Sequence, residues 1–182
     1  MRAGAALAQP LSRQEADMTN DAIAQTTRLF REHPEKAKGT PTVKARSDGA
    51  QAVLEAGTFV IRTDLPQALG GSNQAPSPTA LLLGALAGCA VVFIRDTLAP
   101  QLGVRVEAVE ATARCETDSR GLLALDSASP ELSNVSLDIR IDSPDGAGGA
   151  ETLYAAWRER CPVYLALIRP LAVAARLVNA GR

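Results

Sequence analysis

Between Ala80 and Ile94 the chain runs fifteen residues without a charge, and a single cysteine, Cys89, sits inside that run. Few segments constrain a fold more. Ser77 can cap a helix there, and Pro78 suits the first helical position, where its missing N–H costs nothing. Arg95 and Asp96 close the run, and Pro100 is expected to end the helix soon after. A bilayer core needs roughly 20 apolar residues, so the run is short for a membrane span. A helix apolar on all sides in a water-soluble protein is one surrounded by other elements. Gly84 and Gly88, four apart, share a face that lets another backbone approach closely. The expectation is a buried helix, not an inserted one.

The 182 residues suffice for one sizeable domain. A net charge of -1 supplies no basic field for nucleic acid or anionic lipid, so neither those partners nor a membrane is expected. Three cysteines are too few, and odd in number, for a secreted disulfide scaffold. With His33 the sole histidine and no paired ligand spacing, neither a metal site nor a cofactor is expected. The apolar stretch Ala3 to Ala8 is shorter than the roughly 7–15 residues of a signal peptide's hydrophobic region. Residues 1 to about 20 are expected to be poorly ordered, with Met18 an alternative first residue, and the location to be cytoplasmic. We read residues 1–40 as an N-terminal extension and 41–182 as the folded domain.

Residues 21 to 32 read as a short helix, with Ile23, Leu29 and Phe30 facing a partner surface. His33 precedes Pro34, which stops the helix, and reads as a solvated loop histidine. "TVKARS", "QAVLEA" and "TFVIRT" read as strands separated by Asp48-Gly49 and Gly57. A Pro/Gly/Asn-rich loop carrying Asp64 leads to the apolar helix. "VRVEAVEATARCE" opens as a strand with Val104 and Val106 on one face, and its alternation breaks at Ala108-Val109, where a bulge is expected. Cys115 reads as a small residue in or beside that sheet. "GLLAL" reads as a hairpin return. "VSLDIRI" alternates, with Val135, Leu137, Ile139 and Ile141 inward. In "AETLYAAWRERCPVYLALIRP", Leu153, Trp157 and Cys161 share a helical face, and Pro162 kinks the helix or starts a new one. "LAVAARLV" reads as a final strand, though its alanines also tolerate helix. The order predicts an α+β fold with antiparallel sheets around two central helices.

Cys161 precedes proline at a helix start, where unpaired N–H groups favour a thiolate. Cys89 lies in an apolar helix, where burial alone raises a thiol's pKa. To react, Cys89 needs a cation or hydrogen-bond donor from another element.

The stretch "GG-x-N-x-x-PSP-x-x-LLL-x-ALAGC", Gly70 to Cys89, together with "CPV" at Cys161 to Val163, resembles the OsmC/Ohr family of osmotically induced and organic hydroperoxide resistance proteins. The resemblance runs from about Thr42 to the C-terminus. It implies an OsmC-like α+β fold, an intertwined homodimer, and two equivalent sites at the subunit interface. Cys89 matches the peroxidatic cysteine and Cys161 the resolving one. A thiol-dependent peroxidase of this kind reduces an organic hydroperoxide, passing through a Cys89 sulfenic acid and a Cys89–Cys161 disulfide that a dithiol reductant reopens.

The family also implies an arginine from the N-terminal hairpin, matched here by Arg46, paired with a glutamate at the helix start. At the glutamate's place stands Thr79, which cannot make a bidentate charged pair. Either Asp48 or Asp64 substitutes, or the arginine is mobile; Arg120 is a second candidate cation. The competing reading is a non-enzymatic redox-sensing or apolar-ligand-binding dimer. A hydrolase would want a histidine base beside its nucleophile, and His33 sits in a charged loop far from one.

Overall fold

The computed structural model describes residues 13–169 and 171–178. Helix α1 spans Arg13–Glu32, beginning eight residues earlier than the apolar pattern suggests. Residues 13–20 carry no helix breaker, and acidic residues near a helix start oppose its dipole favourably, so propensity extends the helix where periodicity is silent. α1 lies beside the end of the central helix. Leu29 and Phe30 stay exposed.

Three strands follow, β1 (Lys44–Asp48), β2 (Gln51–Ala56) and β3 (Phe59–Thr63), each antiparallel to the next. Gly49 and Gly57 occupy their turns at positive φ, the backbone region that glycine enters without penalty. None of this sheet's residues joins the main core, and Phe59 is 73% exposed.

Helix α2, Pro78–Phe93, opens as expected, with Ser77 Oγ accepting the Ala80 N–H at 3.1 Å. Pro100 does not end it. The helix widens into a π turn over Ile94–Leu98, in which the Ala99 N–H reaches back to the Ile94 carbonyl. It then continues as α3, Ala99–Leu102, with Gly103 left-handed as its cap. A π turn shifts the hydrogen-bond ladder by one residue, which places the proline at the start of a new α segment.

By length and composition, Pro78–Leu102 could cross a bilayer. Its buried line, Leu86, Ala90, Ile94 and Leu98, nonetheless forms the middle of the core. The expectation that the helix is enclosed on all sides is not met within one chain. Leu82, Gly84, Gly88 and Val92 lie on an open side, and a Cβ added at Gly84 or Gly88 would meet nothing within 4 Å. The chain supplies elements to only one flank.

β4 (Ala108–Glu116) and β5 (Ser133–Asp142) form an antiparallel pair against α2. β4 begins where a bulge was expected. The irregularity falls instead between Arg114 and Glu116, at Cys115. "GLLAL" is no hairpin return: Asp118 caps a single helical turn, α4 (Ser119–Leu122), by accepting the Arg120 N–H. Leu137, Ile139 and Ile141 pack on the core, whereas Val135 is exposed.

α5 (Gly146–Arg160) buries Leu153, Ala156 and Trp157, and α6 (Pro162–Ile168) starts afresh after Cys161. Residues 171–178 form no strand, and Leu177 is 91% exposed. A strand needs an edge to pair with, and among the described residues no strand pairs with the tail.

Candidate active site

The two cysteines expected to react lie 72 residues apart in sequence and meet in the core. Cys89 occupies the fourth turn of α2, one residue before the buried line. Cys161 is the hinge between α5 and α6: its N–H still bonds to the Trp157 carbonyl, while its backbone has turned extended. Pro162, lacking an N–H and restricting its predecessor to extended geometry, forces that break. Leu153, Trp157 and Cys161 are spaced by four and all buried, as the helical pattern predicts.

The Cys161 thiol donates to Cys89 Sγ at 3.1 Å. Cys161 is 0% exposed, and Cys89 is half-buried. Cys161 Sγ also accepts the Tyr164 N–H at 3.5 Å, and the Val163 N–H bonds to Cys89. Both donors come from the first turn of α6, so the proline that breaks the helix also aims free N–H groups at the sulfurs. The sequence reading missed Val163 and Tyr164 as site residues. The signal was present in the "CP" pair, since a proline that starts a new helix gives it a first turn whose N–H groups have no partner within the helix.

Burial first, and Cys161 second, push the Cys89 thiol up to about 11. The Val163 N–H pulls the other way without overcoming them. No guanidinium acts on Cys89 among the described residues. Arg46, on β1, lies 3.7 Å from Glu55 on β2, with both side chains largely exposed. Arg120 is held by Asp118 at 2.6 Å. Neither candidate cation is brought to the cysteines within one chain.

The candidate carboxylates are also committed elsewhere. Asp48 pairs with Arg62 at 2.9 Å. Buried Asp64 organises the loop before α2, accepting N–H groups from Leu65, Ser72 and Gln74 and the Ser72 hydroxyl. Those bonds, Gln74's foremost, hold its carboxyl far below the usual range. Gly71 closes the loop so tightly that a Cβ there would stand 1.9 Å from the Leu65 carbonyl oxygen. Thr79, half-exposed in the first turn of α2, takes the glutamate's place with no charge to offer. His33 sits 3.4 Å from Glu35, exposed, and takes no part.

An apolar cavity of about 380 Å³ is lined by Leu82, Leu86, Leu137, Tyr164 and Leu167 among others, and by neither cysteine. Leu86 is one helical turn before Cys89, and Tyr164 is the residue whose N–H binds Cys161. The site therefore pairs a half-buried thiol with a fully buried one, with an apolar cavity on residues of the same two helices.

The family model for OsmC-like protein matches residues 71–175, more than half of the chain and inclusive of both cysteines. No curated protein matches. Among solved structures, an OsmC-like protein from Mycoplasma pneumoniae superposes with a TM-score of 0.60 at 17% identity, covering 72% of this chain and 89% of that one. An organic hydroperoxide resistance protein, OsmC, from Legionella pneumophila superposes with a TM-score of 0.53 at 26% identity, covering 71% and 89%.

Proposed function

This chain belongs to the OsmC-like protein family, and we propose that within it the chain is a thiol-dependent peroxidase for organic hydroperoxides. The contact between Cys89 and Cys161 carries the reading. A sulfenic acid formed on Cys89 needs a thiol in reach, or it is oxidised further, and Cys161 is in reach before any rearrangement. The likeness to the Legionella hydroperoxide resistance protein supports the same chemistry.

The cycle has three steps. The Cys89 thiolate attacks the terminal oxygen of ROOH; an S–O bond forms, the O–O bond breaks, and ROH leaves once its oxygen is protonated. The Cys161 sulfur then displaces the sulfenic oxygen as water, forming the disulfide. A dithiol reductant reopens it, which requires a reducing compartment such as the cytoplasm. The apolar cavity favours substrates with a hydrocarbon body over hydrogen peroxide.

In this reading the protein works as a homodimer. The open side of α2, the uncovered β1–β3 sheet and the unpaired 171–178 tail are the surfaces a second copy would bury. Arg46, which meets no sulfur of its own chain, would serve the Cys89 of the other copy.

Purified protein incubated with tert-butyl or fatty-acid hydroperoxide and a dithiol should consume peroxide, and Cys89→Ser should not. Background-level consumption by both rejects the reading. Arg46→Ala should lower turnover while leaving the fold intact.

One observation favours a second reading, a redox-sensing or apolar-ligand-binding dimer without efficient turnover. Thr79 stands where a carboxylate would fix the arginine. A disulfide that forms once with oxidant but is not cycled by dithiols would select it.

A further inference from the structure

We propose that Tyr154, Trp157 and Tyr164 form a relay that carries single electrons from the surface to the Cys89–Cys161 pair. A thiyl radical formed at the pair is thereby repaired by a soluble reductant that never enters the core. This function lies beyond the two-electron peroxidase reading and does not depend on it.

The chain holds two tyrosines and one tryptophan in 182 residues. Sulfur apart, these are the side chains that lose one electron most readily, and all three stand in one line of contacts. Tyr154, 45% exposed, stacks on Trp157 with ring centroids 6.0 Å apart and planes 20° apart. Trp157, 2% exposed, meets Tyr164 at 4.8 Å with the planes tilted by 39°. Both pairs lie within the spacing of aromatic contact. The Tyr164 N–H donates to Cys161 Sγ at 3.5 Å, and that sulfur lies 3.1 Å from Cys89 Sγ. Electrons need no movement of the chain to cross contacts of this kind.

The spacing builds the line. Tyr154 and Trp157 are three apart on α5 and so are neighbours on its surface. Cys161 stands four beyond Trp157, and the helix that Pro162 starts turns Tyr164 back onto the indole. The three phenylalanines, whose rings resist oxidation, all lie elsewhere, at Phe30, Phe59 and Phe93. Packing accounts for Trp157, which belongs to the core cluster with Cys161. It does not sort oxidisable rings from inert ones.

Two details fit a charge in transit. Trp157 Nε1 is buried and has no acceptor among the described residues, an arrangement that folded proteins avoid. An oxidised indole with nowhere to send its proton stays a radical cation, a stronger oxidant than the neutral radical. It therefore draws an electron from the next ring instead of resting. At Tyr154 the Arg158 guanidinium lies 5.9 Å from the ring centre and disfavours a second positive charge there. Oxidation of Tyr154 must then expel the phenol proton, which its exposure lets water take. The neutral tyrosyl radical comes to rest at the surface.

Electrons and protons balance. An organic hydroperoxide that gains one electron from ferrous iron splits into hydroxide and an alkoxyl radical, RO•. RO• takes a hydrogen atom from a thiol of the pair; the S–H bond breaks, ROH leaves and a thiyl radical remains. One electron passes from Tyr154 through Trp157 and Tyr164 to that sulfur, which gains a proton and is a thiol again. Tyr154 loses its phenol proton to water and becomes a tyrosyl radical. A soluble thiol returns a hydrogen atom to it. The sum is RO• and a soluble thiol going to ROH and a soluble thiyl radical, with the protein unchanged.

The test treats the reduced full chain with tert-butyl hydroperoxide and a ferrous chelate in the presence of a nitroso spin trap, then maps the trapped radical by peptide mass spectrometry. In the wild type the adduct should fall on Tyr154. Trp157→Phe keeps a ring in the stack but not an oxidisable one, so the adduct should leave Tyr154 and move inward to Tyr164 or the cysteines. Cys161 is 0% exposed, which makes half-buried Cys89 the sulfur that RO• reaches. Cys89→Ser should therefore also deplete the Tyr154 adduct, and it leaves all three rings in place should Trp157→Phe fail to fold. A Tyr154 adduct at the wild-type level in either folded variant shows direct attack on the exposed phenol and overturns the proposal. The peroxidase reading is judged apart, by disulfide formation with the hydroperoxide in the absence of iron.

Discussion

Cys161 Sγ stands 3.1 Å from Cys89 Sγ, with the Tyr164 N–H on one sulfur and the Val163 N–H on the other. Closing that contact into a disulfide would staple α2 to the α5–α6 hinge across a loop of 72 residues. In the chain-entropy model a loop of that length stabilises the fold by about 4 kcal/mol. Protein treated with one equivalent of hydroperoxide should lose two hydrogens, mapped to Cys89 and Cys161. It should also unfold at higher urea concentration than the same sample reduced with a dithiol. Equal midpoints would mean that strain cancels the gain.

Trp157 is the sole tryptophan and packs against Tyr164, with ring centroids 4.8 Å apart and the planes tilted by 39°. Since Tyr164 also touches Cys161 through its N–H, a change at the sulfur pair is transmitted to the indole within one contact. Tryptophan emission should therefore change on oxidation and return with dithiol. The response should vanish in Cys161→Ser.

Asp64 holds the loop that leads into α2. Its folded carboxyl is held far below its unfolded value of about 3.9. That contribution is complete above about pH 4 and is lost as pH falls through the folded value. Asp64→Asn should lower the melting temperature at pH 7, and the gap to wild type should narrow steadily below pH 4. A gap independent of pH would show that shape, not charge, matters there.

Gly84 lies on the open side of α2, where a Cβ would meet no atom of its own chain. In a monomer, Gly84→Ala should be stabilising by about 0.5–1 kcal/mol, because glycine is the costlier residue in a helix interior. In a dimer whose second copy approaches that face, the same change should weaken association. Sedimentation at several concentrations, beside urea denaturation, separates the two: a stabilised protein with unaltered assembly would place the dimer contact elsewhere.

Local features of the chain were legible without coordinates. Ser77 and Pro78 announce the start of α2, Asp48-Gly49 and Gly57 mark the turns of the first sheet, and the spacing of Leu153, Trp157 and Cys161 defines the buried face of α5. Such signals act over one or two helical turns or a single hairpin, so neighbouring residues suffice to specify them. Errors arose where a distant contact decided the outcome. Pro100 reads as a terminator by residue type, yet the π turn absorbs it, and "LAVAARLV" reads as a strand yet pairs with no strand among the described residues. Only the tertiary structure brought Cys89 to Cys161 and sent Asp48 and Asp64 to other partners, because contacts across tens of residues depend on how whole elements pack rather than on any spacing along the chain.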